Sequence, residues 1–400
     1  MMNYEEFKDE VKESIKGFLP PEYENADVRI SQVIKNNGME LDALQIRKEG
    51  ETITPSIYLN DIYKNYEKSG DFDSLMQQIA EIRVSADRET LPVSLVDITS
   101  FDKIKDRIDC RLLNMEKNEE YLKDRPFTQV EDLAVVYSID LGKRGADEKM
   151  STVITDNLLG QWGISTEDLH TVAMENLEHA DSKFMSMRDT IVALMFPDME
   201  PDDPALDMML PPMDPDKVMY VLTSDDKMYG AKLLLDTAKM DEIAEKLEGD
   251  FIVLPSSIHE SIILPNAAGI SRDELEEIVQ SVNSTVLDPK DFLSDNVYCY
   301  DAKEHELLRA DRYEERLAER NNEKALATAV GEPEVAYGTA LGNRDKRKDN
   351  ETKAVPPKKH DNRGGRVSIR EQIAEKKAIL EQQKTEKSVP VKHHKTEIEK

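Results

Sequence analysis

The sequence predicts an α+β protein: an N-terminal helix covers an antiparallel meander, two strand-helix modules follow, and a disordered tail carries one short helix. Three observations predict this class. A helical stripe of apolar residues precedes three β-rich runs, strand-like and helix-like patterns alternate through the middle of the chain, and apolar residues become sparse after residue 330.

The first predicted part, residues 1–125, opens with an amphipathic helix, because apolar side chains recur at steps of three and four from Tyr4 to Phe18. Three strand-like runs follow, and Asn37-Gly38 lies between the first two. An Asn-Gly pair favours a hairpin turn because both residues tolerate positive φ. We therefore expect a three-stranded meander with one face under the helix.

Three further helices are predicted in this part. Residues 60–68 and 72–84 form two of them, the second with apolar side chains along one side. The run 101–122 is rich in charged residues and places Ile104 and Ile108 four positions apart, which predicts a third helix with a narrow buried stripe.

The middle of the chain divides into two strand-helix modules, residues 126–196 and 217–330, joined by a linker over residues 197–216. The linker holds seven acidic residues and six prolines, a composition that opposes regular structure. The predicted elements of the modules are strands at 133–141 and 151–155 in the first, and a strand at 218–222, a helix at 239–247 and a hairpin of 251–254 with 262–264 in the second.

Each module also contains Gly-Ile-Ser followed by a carboxylate three residues after the serine, namely Ser165 with Asp168 and Ser271 with Glu274. Both pairs have the form of a capping box at the start of a helix, and the second is the closer match because glutamate reaches back more readily. Two readings remain open: an internal duplication, or a chance match of common capping sequence.

Residues 331–400 form the predicted disordered basic tail, since too few apolar residues remain there to offset the entropy of the chain. One helix is predicted near 368–384, where Ser368 and Glu371 have the form of a capping box. An isolated helix of this length is marginal in water, so we expect it to fold against a partner. The candidate partner-binding residues are Ile369, Ile373 and Leu380.

Charge is divided unevenly along the chain. Lys and Arg number 17 against 10 Asp and Glu in residues 341–400, and 36 against 72 in residues 1–340, so the two segments carry net charges of +7 and −36. A body of that sign repels phosphate backbones, and we expect it not to bind nucleic acid directly. The negative charge fits either simple solubility or mimicry of a nucleic acid toward a basic protein.

Cysteine usage and hydropathy favour a cytoplasmic protein. Cys110 and Cys299 are the only cysteines and show no metal-ligand or CxxC spacing, so we expect two reduced thiols. The N-terminus lacks the apolar core of a signal peptide, and no window of 18 apolar residues occurs. The sequence therefore predicts no membrane contact, no cofactor and no bound metal.

Known catalytic motifs, including phosphate-binding glycine loops, HExxH and GxSxG, do not occur. The best local group is Ser256, Ser257, His259 and Glu260, which directly follows the predicted strand 251–254. A hydrolase-like site needs a serine within reach of a base, with an acid behind that base. Residues this close in sequence more commonly satisfy the backbone of a turn, and both readings stay open.

Several segments carry a family resemblance. MYVLTSDDKMYGAKLLL, IAEKLEGDFIVLPSSIHESIILP and the N-terminal NYEEFKDEVKESI resemble an uncharacterised domain-of-unknown-function family of gut Clostridia that is often carried on mobile elements. The resemblance covers residues 3–310, and the order of elements is distantly similar to a second uncharacterised Bacillus-type family. It implies a cytoplasmic α+β body and no catalytic residues. The tail motif VSIREQIAEKK is similar to short C-terminal segments of conjugative-element proteins.

Three functional hypotheses follow. The first is a non-enzymatic cytoplasmic protein that binds another, unidentified protein, with its tail helix as one contact. The second is a hydrolase-like enzyme with a site near residues 255–260. The third is an acidic nucleic-acid mimic that binds a basic protein. The sequence leaves the oligomeric state open.

Overall fold

The structure is a computed structural model, and the predicted α+β class is confirmed. It describes residues 1–51, 54–89, 97–144, 148–196, 218–266 and 269–330, together with Met199, Asp203 and Leu206. Most of the predicted linker lies outside these residues. So do residues 331–400, with the helix predicted near 368–384 and the candidates Ile369, Ile373 and Leu380.

The N-terminal unit, residues 1–89, is the predicted helix on a meander. Its elements are α1 Tyr4–Ser14, β1 Asp27–Lys35, β2 Met39–Arg47, β3 Ser56–Tyr58, α2 Leu59–Ser69 and α3 Phe72–Glu89. The three strands pair antiparallel in the order β1-β2-β3. Phe7 and Val11 of α1 pack against Leu44 and Ile46 of β2, so the helical stripe found in the sequence covers the sheet.

A four-stranded antiparallel sheet follows. Its region comprises α4 Phe101–Ile104, β4 Ile108–Asn114, α5 Glu119–Leu122, β5 Phe127–Val130, β6 Leu133–Arg144, β7 Glu148–Val153, α6 Asp156–Trp162 and α7 Thr166–Leu177. β6 pairs with β4 on one side and with β5 and β7 on the other. The two strands predicted here at 133–141 and 151–155 are confirmed, and the structure pairs them with each other as parts of β6 and β7.

The predicted helix over residues 101–122 is wrong. Two short helices flank strand β4, which pairs with β6 along its whole length from Ile108 to Asn114. The apolar spacing misled because Ile108 and Leu112 are four residues apart, and four is a multiple of two. With Cys110 between them they form an alternating buried row of a strand as readily as a helical stripe.

A six-stranded antiparallel sheet forms the centre of the body. Its region comprises β8 Ser182–Ser186, α8 Met187–Met195, β9 Tyr220–Ser224, α9 Thr237–Lys246, β10 Phe251–Leu254, β11 Glu260–Pro265, α10 Arg272–Thr285, β12 Tyr298–Asp301, β13 Glu306–Arg309 and α11 Ala310–Val330. The strand order is β13-β12-β10-β11-β9-β8, which includes the predicted β10–β11 hairpin.

The two faces of this sheet belong to different layers. Leu222, Val253 and Ile263 point into a core shared with α9 and the four-stranded sheet. Side chains on the opposite face pack against α8, α10 and α11. Burying one such aliphatic side chain contributes about 1.5–3 kcal/mol, so both layers hold the sheet in place.

The predicted boundaries near residues 125 and 196 fall between strands that pair with each other. β4 lies before residue 125 and pairs with β6, while β8 lies before residue 196 and pairs with β9. The division into modules stays a prediction about the sequence, and the sheets run across its boundaries.

Both predicted capping serines start helices. Ser165 Oγ accepts the Asp168 N–H at 3.1 Å and Asp168 Oδ2 accepts the Ser165 N–H at 2.9 Å, which is a complete capping box. Ser271 Oγ accepts the Glu274 N–H at 3.3 Å. Asp168, which has the shorter side chain of the two carboxylates, therefore completes a reciprocal capping box with Ser165. Whether the two starts reflect a duplication stays a hypothesis.

Candidate functional site

The corner between β10 and β11, residues 255–260, holds the four candidates found in the sequence. Ser257 Oγ accepts the N–H of His259 at 3.0 Å, and the Ser257 N–H donates to the carbonyl oxygen of Glu260 at 3.1 Å. Ser256 Oγ donates to Glu260 Oε1 at 3.2 Å. The two serines thus close a tight turn between the strands, as Ser and its neighbours commonly do.

The ring of His259 is held from two sides. Its Nδ1 lies 3.1 Å from the Tyr229 nitrogen and accepts that N–H, so the ring proton lies on Nε2 in the neutral form. Nε2 faces Asp291 Oδ1 at 3.3 Å. This arrangement fixes one tautomer and uses both ring nitrogens.

The loop after β9 meets this corner in a constrained conformation. Lys227 and Tyr229 have left-handed backbones, with φ of 57° and 55°. The carbonyl oxygen of His259 accepts both the Gly230 N–H at 3.0 Å and the Thr223 hydroxyl at 2.9 Å. Left-handed non-glycine residues cost roughly 1–3 kcal/mol each and concentrate at functional sites, which makes this loop part of the candidate site.

Charged residues of the four-stranded sheet lie behind the loop. Buried Lys232, on the 3-10 segment Gly230–Leu235, forms an ion pair with Asp109 of β4. The guanidinium of Arg111 lies 3.9 Å from the centre of the Tyr229 ring and donates to Ser151 Oγ at 2.5 Å. The loop is therefore supported by a cation-π contact and by a buried charge pair.

Sequence reasoning missed five of the side chains that contact this corner or its neighbouring loop: Tyr229, Lys232, Asp109, Arg111 and Asp291. A charged residue inside the apolar run GAKLLL was the available signal for Lys232, because a lysine buried in a core needs a partner. Asp109 and Arg111 alternate with buried residues of β4, and the helical interpretation of that run concealed their common face.

The two cysteines are buried free thiols that lie outside this chemistry. Burial raises the pKa of Cys110 to about 12, although Lys232 nearby opposes the shift. Burial raises the pKa of Cys299 to about 12 as well. Neither thiol is ionised near neutral pH, and the thiolate is the reactive form of cysteine.

The arrangement is better suited to holding a corner than to activating a serine. A serine nucleophile needs a base nitrogen with a free lone pair. The lone pair of His259 accepts from Tyr229, while the hydroxyls of Ser256 and Ser257 are engaged in the turn. Among the described residues, no group of three or more His, Cys, Asp or Glu side chains is placed to hold a metal ion.

Comparisons with known proteins give a family and no activity. In the part of the chain that the structure describes, no helix has both the length and the apolar character needed to cross a membrane. No curated protein and no solved structure matches the chain. A family model described as a family of unknown function, DUF5688, matches residues 4–302, which include both the N-terminal unit and the corner. The chain belongs to the DUF5688 family of unknown function.

Proposed function

We propose that this chain is a non-enzymatic protein-interaction protein. The observation that carries the proposal is the way His259 and its neighbouring serines are engaged: each makes hydrogen bonds that close the corner of the fold. Groups committed in this way act as structural supports. A binding role needs an exposed surface of distinct chemistry. The large negative charge of residues 1–340 provides such a surface.

The negative charge of the body supports a basic partner. The net charge of residues 1–340 is −36. On the surface, α1 alone exposes Glu5, Glu6, Asp9, Glu10 and Glu13. A surface of one sign accelerates encounter with a partner of the opposite sign, and this attraction weakens as salt is added.

The predicted tail helix supplies a second contact in this proposal. Its apolar side chains, Ile369, Ile373 and Leu380, would anchor in a groove of a protein partner, as amphipathic recognition helices do. A tether to the body would raise the effective concentration of the second contact once the first has formed.

Affinity capture with purified chains tests the proposal. The full chain, a chain ending at residue 330, and an Ile373→Asp variant are compared. Gln382→Asp is the control, since it adds the same charge on the opposite face of the predicted helix. We expect the truncation and Ile373→Asp to lose partners that wild type and Gln382→Asp retain. Identical capture by all four would contradict the role of the tail.

A hydrolase-like enzyme is the second candidate, and the left-handed backbones of Lys227 and Tyr229 beside His259 and Asp291 favour it. In this alternative Ser256 or Ser257 would be the nucleophile and Glu260 an accessory acid. The test is a hydrolase substrate screen of wild type and His259→Ala. An activity that disappears with His259 while the variant stays folded would support the enzyme and overturn the first proposal.

The charge of −36 also favours a third candidate, an acidic mimic of nucleic acid that captures a basic DNA-binding protein. Salt-sensitive capture of such a protein, reversed by added duplex DNA, is the expected result.

For all three candidates we propose a cytoplasmic location and a mobile-element context in gut Clostridia. The two free cysteines and the similarity of the tail motif to conjugative-element proteins support these last points.

A further inference from the structure

The N-terminal unit has its own hydrophobic core. Phe7, Leu44 and Met76 belong to a cluster formed only by buried residues between Phe7 and Ala80. The other two cores consist of buried residues from Ile104 onward, in the part of the structure after residue 97, called the main unit, or body, in this subsection. Half-buried Ile34 of β1 packs against one of them. An N-terminal unit with a core of its own raises the question of what fixes it relative to the rest of the chain.

Asparagine side chains at the β1–β2 turn make the main polar contact with the body. Asn37 Nδ2 donates to the carbonyl oxygens of Pro289 and Phe292, at 2.8 and 2.9 Å. Asn36 Nδ2 donates to the carbonyl oxygen of Lys290 at 2.6 Å. One short segment of the body, residues 288–294, therefore receives both amides.

Buried Asn118 secures the same turn from the other side. Its Oδ1 accepts the Asn37 N–H at 2.8 Å, and its Nδ2 donates to Asn36 Oδ1 and Asn37 Oδ1, both at 3.0 Å. Asn114 Nδ2 donates to the carbonyl oxygen of Leu293 at 3.0 Å. Lys117 Nζ lies 3.5 Å from the centre of the Phe292 ring. These contacts form one polar network between the β1–β2 turn, Asn118 and the 288–294 segment, and we call this network the joint.

Charges on α2 face the same segment. Lys64 pairs with Asp61 at 2.8 Å and Lys290 pairs with Asp288 at 3.3 Å, each on its own side of the contact. The hydrogen bond to Asp61 is the main cause of the raised pKa of Lys64, and the charge of Asp288 adds to it. Three of these groups are exposed and Asp288 is half-buried, so salt screens their charges. The amide contacts are therefore the specific part of the joint.

The same segment also holds the candidate corner. The carbonyl oxygen of Asp291 accepts the Ile258 N–H at 2.9 Å, and Asp291 Oδ1 lies 3.3 Å from His259 Nε2. The two carbonyls that Asn37 binds belong to residues 289 and 292, on either side of Asp291. Asn37 therefore clamps the short turn that presents Asp291 to the corner.

We infer that the 288–294 segment couples the docking of the N-terminal unit to the conformation of the 255–260 corner. With the β1–β2 turn docked, Asp291 is held against His259 and Ile258. When the turn leaves, Asp291 loses its clamp and the corner opens more often. A partner that binds one docking state better than the other shifts this equilibrium, and the effect is reciprocal.

Hydrogen exchange of the full chain tests the coupling. Asn37→Gly removes the amide while glycine keeps the left-handed backbone of φ 59° that this position requires. We expect exchange in peptides covering residues 256–260 and 226–231 to accelerate roughly tenfold, the scale of one or two lost hydrogen bonds. Peptides covering β12 and β13 should be unchanged.

A control separates coupling from general destabilisation. Asn60→Ala removes a hydrogen bond inside the N-terminal unit, where Asn60 Oδ1 accepts the Asp42 N–H at 2.8 Å. It should leave exchange at 256–260 at the wild-type rate. Equal acceleration by both variants, or none with Asn37→Gly, would overturn the inference. If Asn37→Gly is poorly folded, Asn36→Ala removes the donor to the Lys290 carbonyl oxygen and one acceptor of Asn118 Nδ2, and it is read in the same way.

Discussion

The N–H of Gly230 donates to the carbonyl oxygen of His259 at 3.0 Å, and the two backbones approach so closely that no side chain fits between them. A Cβ atom on Gly230 would lie 2.5 Å from that oxygen and 2.5 Å from the Ser224 nitrogen. This contact joins the loop after β9 to the corner between β10 and β11. The candidate site therefore depends on backbone packing as well as on the side chains of the corner.

Gly230→Ala should destabilise the protein strongly. A third backbone atom, the Cα of Thr223, would lie 2.8 Å from the new methyl group. All three atoms belong to the backbone, so relief requires the backbone itself to move. We expect the free energy of unfolding to fall by about 3 kcal/mol, the upper part of the range for overpacking. Denaturant unfolding followed by circular dichroism measures it.

Gly160→Ala is the matched control, since nothing lies within 4 Å of a Cβ there and the residue is inside α6. We expect this variant to gain about 0.4–1 kcal/mol, because alanine lowers the entropy of the unfolded chain. Similar losses from both glycines would show that the close approach at Gly230 is not what limits stability.

His259→Ala should cost about 1–3 kcal/mol of unfolding free energy, because the Tyr229 N–H loses its acceptor in a half-buried position. His259→Asn should cost less, since its Oδ1 takes a place similar to that of Nδ1. Thermal unfolding of the two variants gives the comparison. If the His259 ring does not stabilise the fold, both variants will unfold at the same temperature as wild type.

Local patterns in the sequence were sufficient for most of the elements. The meander, the β10–β11 hairpin and the serine-capped helices rest on turn chemistry and periodicity over a few residues, and these act over the same distance in the fold. Strand β4 was missed because its apolar residues fit a period of two and a period near four equally well. Its pairing with β6, about 25 residues away in sequence, decided between them.

The candidate site was predictable only in part, because its contacts also join segments that are far apart in sequence. Ser256 to Glu260 are contiguous and could be singled out, whereas the partners of His259 and of the neighbouring Lys232 come from three other elements. Asp291 follows α10, Tyr229 follows β9, and Asp109 lies on β4. No local rule states which of the many acidic residues in this chain will meet a given histidine or lysine.

The N-terminal unit contains a fully buried arginine whose removal should be costly. Arg83 Nη2 donates to both carboxylate oxygens of Glu51 at 2.8 Å, Nη1 donates to Asp87 at 2.7 Å, and Nε donates to the carbonyl oxygen of Ile46 at 2.7 Å. Arg83→Met leaves two carboxylates without this partner. We expect a loss of about 3 kcal/mol, the lower end of the range for breaking a buried pair, because both carboxylates keep some contact with water.

Lys103→Met provides the exposed counterpart to Arg83→Met. Lys103 pairs with Asp97 at 3.0 Å, but both side chains are largely in solvent. We expect a change of about 0–1 kcal/mol, which is usual for a surface ion pair. Urea unfolding midpoints of the two variants give the contrast. A loss at Arg83 no larger than at Lys103 would mean that the buried network contributes little net stability.

Acid stability should depend on Asp301, a fully buried carboxylate at the end of β12. Burial alone would raise its pKa, but hydrogen bonds from Arg320 and from the N–H groups of Glu304 and Lys303 outweigh burial and lower the pKa below its usual value. A carboxylate with a lowered pKa contributes stability that is present above its unfolded pKa, about 3.9, and is lost as the pH falls through the folded pKa. Asp301→Asn should thus be less stable than wild type at pH 7 by about 3 kcal/mol, and the gap should narrow below pH ~4.

Unfolding free energies between pH 2 and 7 test this linkage, with Asp102→Asn as an exposed control expected to change stability by less than about 0.5 kcal/mol. Asp301 also accepts from Arg316 at 3.4 Å, so two cations of α11 depend on this one carboxylate. Helix α11 should therefore be the first element to open as Asp301 is protonated. Faster hydrogen exchange of residues 310–325 at low pH would detect this opening. A gap between Asp301→Asn and wild type that stays constant with pH would show that the substitution acts through packing and not through charge.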